Sequence, residues 1–164
     1  MSLQGTPSLK FTLIAVGRGM PTAIKSLVEE YQSRLQPLGG CTLVEVADYR
    51  RTGKTAEREQ ALVWEAAKLR DHLANHPFIA LDSRGKGLTS ESFSTILLNY
   101  LQEGQRELRF VIGGPDGLHP ELLARAAWHL SLGQMTFPHM LTRVMLMEQL
   151  YRAMTILRHI PYHR

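Results

Sequence analysis

The chain has 164 residues, 44% of them hydrophobic and 21% charged, which suits one compact domain built on one core. No apolar run approaches the roughly 20 residues of a membrane-spanning helix, Met1 to Lys10 lacks the order of a signal peptide, and the single Cys41 leaves neither an internal disulfide nor a thiolate zinc site. A formal net charge of +4 favours polyanionic partners without dictating a fold, and the expected location is cytoplasmic.

Residues 1–8 (MSLQGTPS) read as a leader outside the fold, and residues 9–164 as one domain. Phe11 to Val16 (FTLIAV) is a short β-prone run ended by Gly17. Pro21 then opens a helix over Thr22–Leu35, with Ile24, Leu27, Val28, Tyr31 and Leu35 on one face. Cys41 to Val46 is the second strand. Arg50 to Thr55 (RRTGKT) is a basic loop, and a long helix follows from about Ala56 to Ala74, with Glu57 and Glu59 in the first turn, where the helix dipole favours acids. Phe78 to Leu81 is the third strand, ending in Asp82 and a loop from Ser83 to Gly87. Ser90 to Gln102 is helical and Leu108 to Ile112 is the fourth strand. A helix opened by His119-Pro120 is expected to run to about Trp128, a fifth strand to cover Leu130 to Leu132, and a closing helix to span about Pro138 to Arg158. Strands alternating with helices predict an α/β domain with a mainly parallel sheet flanked by helices.

Such sheets bind ligands in the loops at the carboxyl ends of their strands. Three loops qualify: those after Leu81, after Ile112, and between Leu132 and Pro138. The second, Gly113 to Gly117 (GGPDG), lets its backbone approach a ligand, but it is neither a Walker loop nor a GxGxxG fingerprint, and Asp116 would repel phosphate. The third, Leu132 to His139, offers flat apolar walls suited to adenine, although an ordinary core-packed connection has the same composition. His159 and His163 lie four apart, but Pro161 breaks the helix between them, so no metal site is expected. No G-x-S-x-G supports a serine hydrolase. On the closing helix, Glu148 and Arg152 form an i,i+4 pair. Two adjacent apolar stripes there predict burial on both sides, by a second subunit or by a central place in the core. The last thirteen residues hold Arg152, Arg158, Arg164, His159 and His163 and no acid, as a polyanion-binding end or a solvated basic tail would.

Taken together, GGPDGLHP (Gly113 to Pro120), MTFPHMLTRVMLMEQLYRA (Met135 to Ala153) and PYHR (Pro161 to Arg164) resemble the RlmH-type methyltransferases of the SPOUT class. The opening LIAVGRGMP and the LDSRGK loop fit as well, so the resemblance spans Leu9 to Arg164. It implies an α/β fold closed by a C-terminal trefoil knot, a homodimer, and S-adenosyl-L-methionine as cofactor, released as S-adenosyl-L-homocysteine. It further implies methylation of N3 of a pseudouridine in helix 69 of 23S rRNA within the ribosome, with no membrane or metal partner. Carried over by motif, the cofactor contacts would be Leu81, Gly114, Leu132, Gly133, Gln134, Met135, Thr136 and Phe137. Tyr162, His163 and Arg164 would lie on the substrate side. Some relatives carry a histidine where this chain has Ile160, with His159 one place earlier. The N3 imide proton must leave before or during attack, so a base is expected, with His163 the candidate. Tyr162 is expected to hold the base, and Arg143, Arg158 and Arg164 to meet phosphate or the developing charge. Arg152 fits either that role or a structural pairing with Glu148. The competing readings are a non-catalytic RNA- or ribosome-binding protein and a small-molecule enzyme holding a nucleotide at Gly113–Gly117.

Overall fold

The computed structural model describes residues 8–53 and 57–164. The expected leader, apart from an exposed Ser8, lies outside the described residues, as do Lys54 and Thr55 of the basic loop and Ala56 at the head of the long helix. The elements run β1 (Lys10–Val16), α1 (Thr22–Leu35), a single 3-10 turn (Gln36–Leu38), β2 (Cys41–Val46), α2 (Glu57–Leu73), β3 (Ile79–Gly87), α3 (Ser90–Gln102), β4 (Glu107–Ile112), α4 (Pro120–Arg125), β5 (Trp128–Ser131) and α5 (His139–Leu157).

The five strands form one parallel sheet in the order β2-β1-β4-β3-β5. Parallel strands are covered on both faces, which is why their sequences are near-continuous apolar runs. Phe11, Leu13, Ala15, Phe110 and Ile112 pack beneath α1, α3 and α5. Ile14, Val16, Ala80 and Val111 pack beneath α2 and α4. The wide apolar surface of α5 is buried within the chain, between α1 and α3, with Leu146, Met147, Leu150 and Ala153 fully covered. Among the described residues no helix is long and apolar enough to cross a membrane.

Three expectations are corrected. β3 does not end at Leu81: it continues to Gly87 through an irregularity in which both Leu81 and Lys86 oppose Leu130 of β5. Asp82 to Gly85 therefore bulge out of an otherwise continued strand. The helix after Pro120 stops at Arg125, because Ala126 turns to extended backbone (φ −60°, ψ 144°), and Trp128 and His129 pair with Ile79 and Ala80 as the start of β5. β5 therefore covers Trp128–Ser131 rather than Leu130 to Leu132. Since β4, β3 and β5 are neighbours and parallel, the β3 bulge and the loops leaving the carboxyl ends of β4 and β5 meet at one end of the sheet.

Candidate active site

Those three segments line one cavity of about 890 Å³. Leu81 comes from β3, Gly114 from the loop after β4, and Leu132, Gly133, Met135, Thr136 and Phe137 from the loop after β5. Gln134 is exposed and does not line it, which sets it apart from the other expected cofactor residues. Asp82, Arg84 and His139, which lie in the expected ligand loops but carried no assigned role, also line it, as do Leu118 and Thr142. The loops are held by local bonds. Gly117 donates its N–H to Gly114 O at 3.0 Å, with Gly117 in the left-handed region (φ 81°) that glycine tolerates. A Cβ on Gly113 would collide with the Gly117 carbonyl. Ser131 Oγ lies 3.1 Å from Ser83 O and 3.0 Å from Gly133 O and accepts the Gly133 N–H, tying the β3 bulge to the third loop.

The carboxylates around the cavity differ in their partners. Asp82 accepts from Arg84 Nε and Nη2 at 3.1 and 2.9 Å, and this hydrogen bonding holds its carboxyl below the usual range. Asp116 pairs with Arg51. Glu65, on α2, sits directly behind Gly114 and is only 2% exposed. Its Oε1 accepts the Tyr49 N–H at 3.1 Å, while its Oε2 has no hydrogen-bond partner among the described residues. Burial pushes its titration upward. On the opposite wall, His139 is pushed down, first by burial and then by the nearby Arg143.

Arg143, expected to meet RNA phosphate, is fully buried. Nη1 donates to Glu45 at 2.6 Å, and Nη2 donates to the carbonyls of Val16 and Gly17 at 3.0 and 2.7 Å. It clamps the first turn of α5 to the end of β1, and its charge does not face solvent.

The terminal Tyr-His-Arg folds back onto α5 instead of reaching the cavity. Arg152 donates from Nε and Nη2 to Glu148 Oε1 at 3.0 and 2.5 Å, so the structural pairing of these two is present. Tyr162 donates its hydroxyl to the same oxygen at 3.0 Å, its ring 4.8 Å from that of Tyr151 and 4.8 Å from the Arg152 guanidinium. Burial first, and then hydrogen bonding with Tyr31 and Glu148, holds its phenol above the usual range. His163 lies between two partners, Nδ1 3.2 Å from Arg152 Nη1 and Nε2 2.8 Å from Glu91 Oε1. Arginine only donates, so Nδ1 accepts and the proton of neutral His163 sits on Nε2, towards Glu91. Arg164 is exposed and Arg158 half-buried. Among the described residues, no group of three or more His, Cys, Asp or Glu is placed to hold a metal.

The family model described as "Predicted SPOUT methyltransferase" matches residues 9–163. The chain is 46% identical over 157 residues to "Ribosomal RNA large subunit methyltransferase H" of Magnetococcus marinus, covering 94% of this chain and 99% of that one. It is 43% identical to the protein of the same name from Alkalilimnicola ehrlichii (95% and 99% covered) and 38% identical to that of Clostridium botulinum (95% and 100%). Among solved structures, "Probable Methyltransferase" of Bordetella pertussis superposes with a TM-score of 0.58 at 15% identity, covering 89% of this chain and 95% of that one, a likeness of fold. A β3 bulge and two strand-end loops around one cavity agree with a full-length sequence match: the chain belongs to the SPOUT methyltransferase family.

Proposed function

We propose that this methyltransferase uses S-adenosylmethionine to methylate N3 of a pseudouridine in helix 69 of 23S rRNA, acting in the cytoplasm on the ribosome as a homodimer. The observation that carries the proposal is the convergence of the β3 bulge and the loops after β4 and β5 on one cavity, in a chain whose full-length relatives bear the name of a large-subunit rRNA methyltransferase. The cavity suits the donor: Leu81, Leu132 and Phe137 provide apolar walls, Gly114 allows close backbone approach, and behind Gly114 the buried Glu65 Oε2 accepts no hydrogen bond among the described residues. The bound donor supplies an electrophilic methyl group on a sulfonium. The C-terminal part is read as threaded into the family's trefoil knot. Supporting this reading is the full-length match to the SPOUT methyltransferase family model.

What remains is to bring a base to the acceptor. Tyr162, His163 and Arg164 do not line the cavity, which reaches α5 only at His139 and Thr142. Arg152, which holds His163, lies thirteen residues beyond His139, about 20 Å along the helix axis. Within one chain the two halves of the chemistry do not meet, so the tail of a second copy completes each cavity. In that arrangement His163 takes the N3 proton through Nδ1, once Arg152 releases that lone pair. Tyr162, protonated across the working pH range, packs on the base. Arg158 and Arg164 meet phosphate or the developing imidate charge.

The test is transfer of tritium from labelled S-adenosylmethionine to ribosomes that lack this modification, mapped by mass spectrometry. Label on N3 of the helix 69 pseudouridine is the expected result. Donor binding without transfer would point to another RNA. Neither binding nor transfer would overturn the proposal in favour of an RNA-binding module.

A further inference from the structure

α2 buries a stripe in which Ala61, Glu65, Leu69 and Leu73 follow at intervals of four, so a carboxylate occupies a position where the helix otherwise places apolar side chains. A buried carboxylate oxygen without a partner is unfavourable unless something compensates it. Glutamine would accept the Tyr49 N–H equally well, so holding that loop does not call for a charge. Two features make the charge felt in the cavity. Gly114 has no side chain, and a Cβ there would stand 3.2 Å from Oε2 and 3.4 Å from Oε1, so the carboxylate lies against the backbone of a loop that forms the cavity wall. The wall's own acids are also already matched, Asp82 by Arg84 and Asp116 by Arg51 and, at 4.0 Å, Arg58. Arg51 approaches Glu65 Oε1 only to 3.8 Å while engaged with Asp116.

We infer that Glu65 is a specificity residue of this cavity, whose negative charge behind Gly114 favours a cationic sulfonium ligand over the neutral thioether left after transfer. The inference rests on the S-adenosylmethionine assignment and deepens it. Donor and product share the adenosine, carboxylate and ammonium groups and differ in the methyl group and the sulfonium charge. A single fixed charge at close range in a poorly screened wall changes a cation's affinity by about tenfold and leaves a neutral sulfur nearly untouched. Glu65 would therefore favour fresh donor over retained product when the two compete for the cavity, without taking part in the bond-making step.

Calorimetric titration of the unmutated chain and Glu65→Gln with S-adenosylmethionine and with S-adenosylhomocysteine tests this. Glu65→Gln should weaken the donor about tenfold and the product less than twofold, with the melting transition retained. Equal weakening of both would mean that Glu65 shapes the loop or meets the shared ammonium, and no change in either would mean that its charge is not felt; each overturns the inference. If the unmutated chain binds neither ligand, it is the cofactor assignment that fails.

A second arm needs no change at Glu65. Burial raises its titration, and the charged groups facing it are Arg51, Asp48 and Asp116. Lowering the pH from neutral towards the ordinary carboxylate range should withdraw the charge, because Glu65 is held above that range, and shrink the donor-to-product preference. The measurement is made in a His139→Gln background, so that no titratable imidazole on the cavity wall adds positive charge on acidification. A preference that stays flat there would overturn the inference even if Glu65→Gln did not fold.

Discussion

Arg143 is fully buried, and its two terminal nitrogens are matched by a carboxylate and two carbonyls. Removing one member of such an arrangement strands the others, whereas removing a surface cation mainly lowers the salt dependence of binding. Arg143→Met should therefore destabilise the fold by about 3 kcal/mol in urea unfolding, and leave the salt dependence of RNA binding unchanged. A loss of RNA affinity at full stability would return Arg143 to the substrate side. Charged residues were the least legible in the sequence for a physical reason: Arg143 and Glu65 both occupy helical core positions, and composition alone assigns a charge to solvent. The spacing held the signal. Glu65 falls four residues after Ala61 and four before Leu69, and Arg143 is followed by buried Val144, Leu146 and Met147. The tail was legible as a motif, but its internal bonds, His163 to Glu91 and Tyr162 to Glu148, link residues far apart in sequence.

At the scale of elements, α1 and α3 coincide with the spans that apolar periodicity predicts. The long helix, among the described residues, and α5 agree to within a residue or two, as expected where caps fray. The misses cluster where β3 meets β5. Ser-Arg-Gly-Lys-Gly carries glycines and charges that read as a loop, yet it lies along β5 because the bulge restores the register at Lys86. Trp128 suits a helix as well as a strand, and its place beside Ile79, with its indole donating to Tyr100 at 2.9 Å, is a tertiary decision. Gly85 is the tightest point of this junction. Gly85→Ala places a Cβ 2.7 Å from the His129 carbonyl carbon and oxygen, so β5 must shift. We expect a lower melting temperature together with weaker cofactor binding, because Asp82 and Arg84 of the same bulge line the cavity. A melting shift with unaltered binding would uncouple the bulge from the site.

For the whole molecule, the separation of cavity from tail predicts complementation. A Gly114→Val chain, its new side chain pressed on Glu65 and Val16, and a His163→Ala chain should each be inactive as homodimers. Co-expressed, they should recover about a quarter of full activity, since half of randomly formed twofold dimers are mixed and each holds one intact site. A mixture that stays inactive would place the whole site within one chain. The sheet order has a further consequence, for synthesis. β1 lies between β2 and β4, and its first residue, Lys10, pairs with Glu107. β1 and β2 can pair early, but the other edge of β1 waits until about 60 more residues, from Val46 to Glu107, have been translated, roughly 3–12 s at ordinary elongation rates. Throughout that interval the nascent chain displays the apolar run Phe11 to Val16 on an open edge, a template for mispairing. The step most exposed to aggregation is therefore the arrival of β4, and chaperone dependence in this protein should track how quickly that strand is delivered.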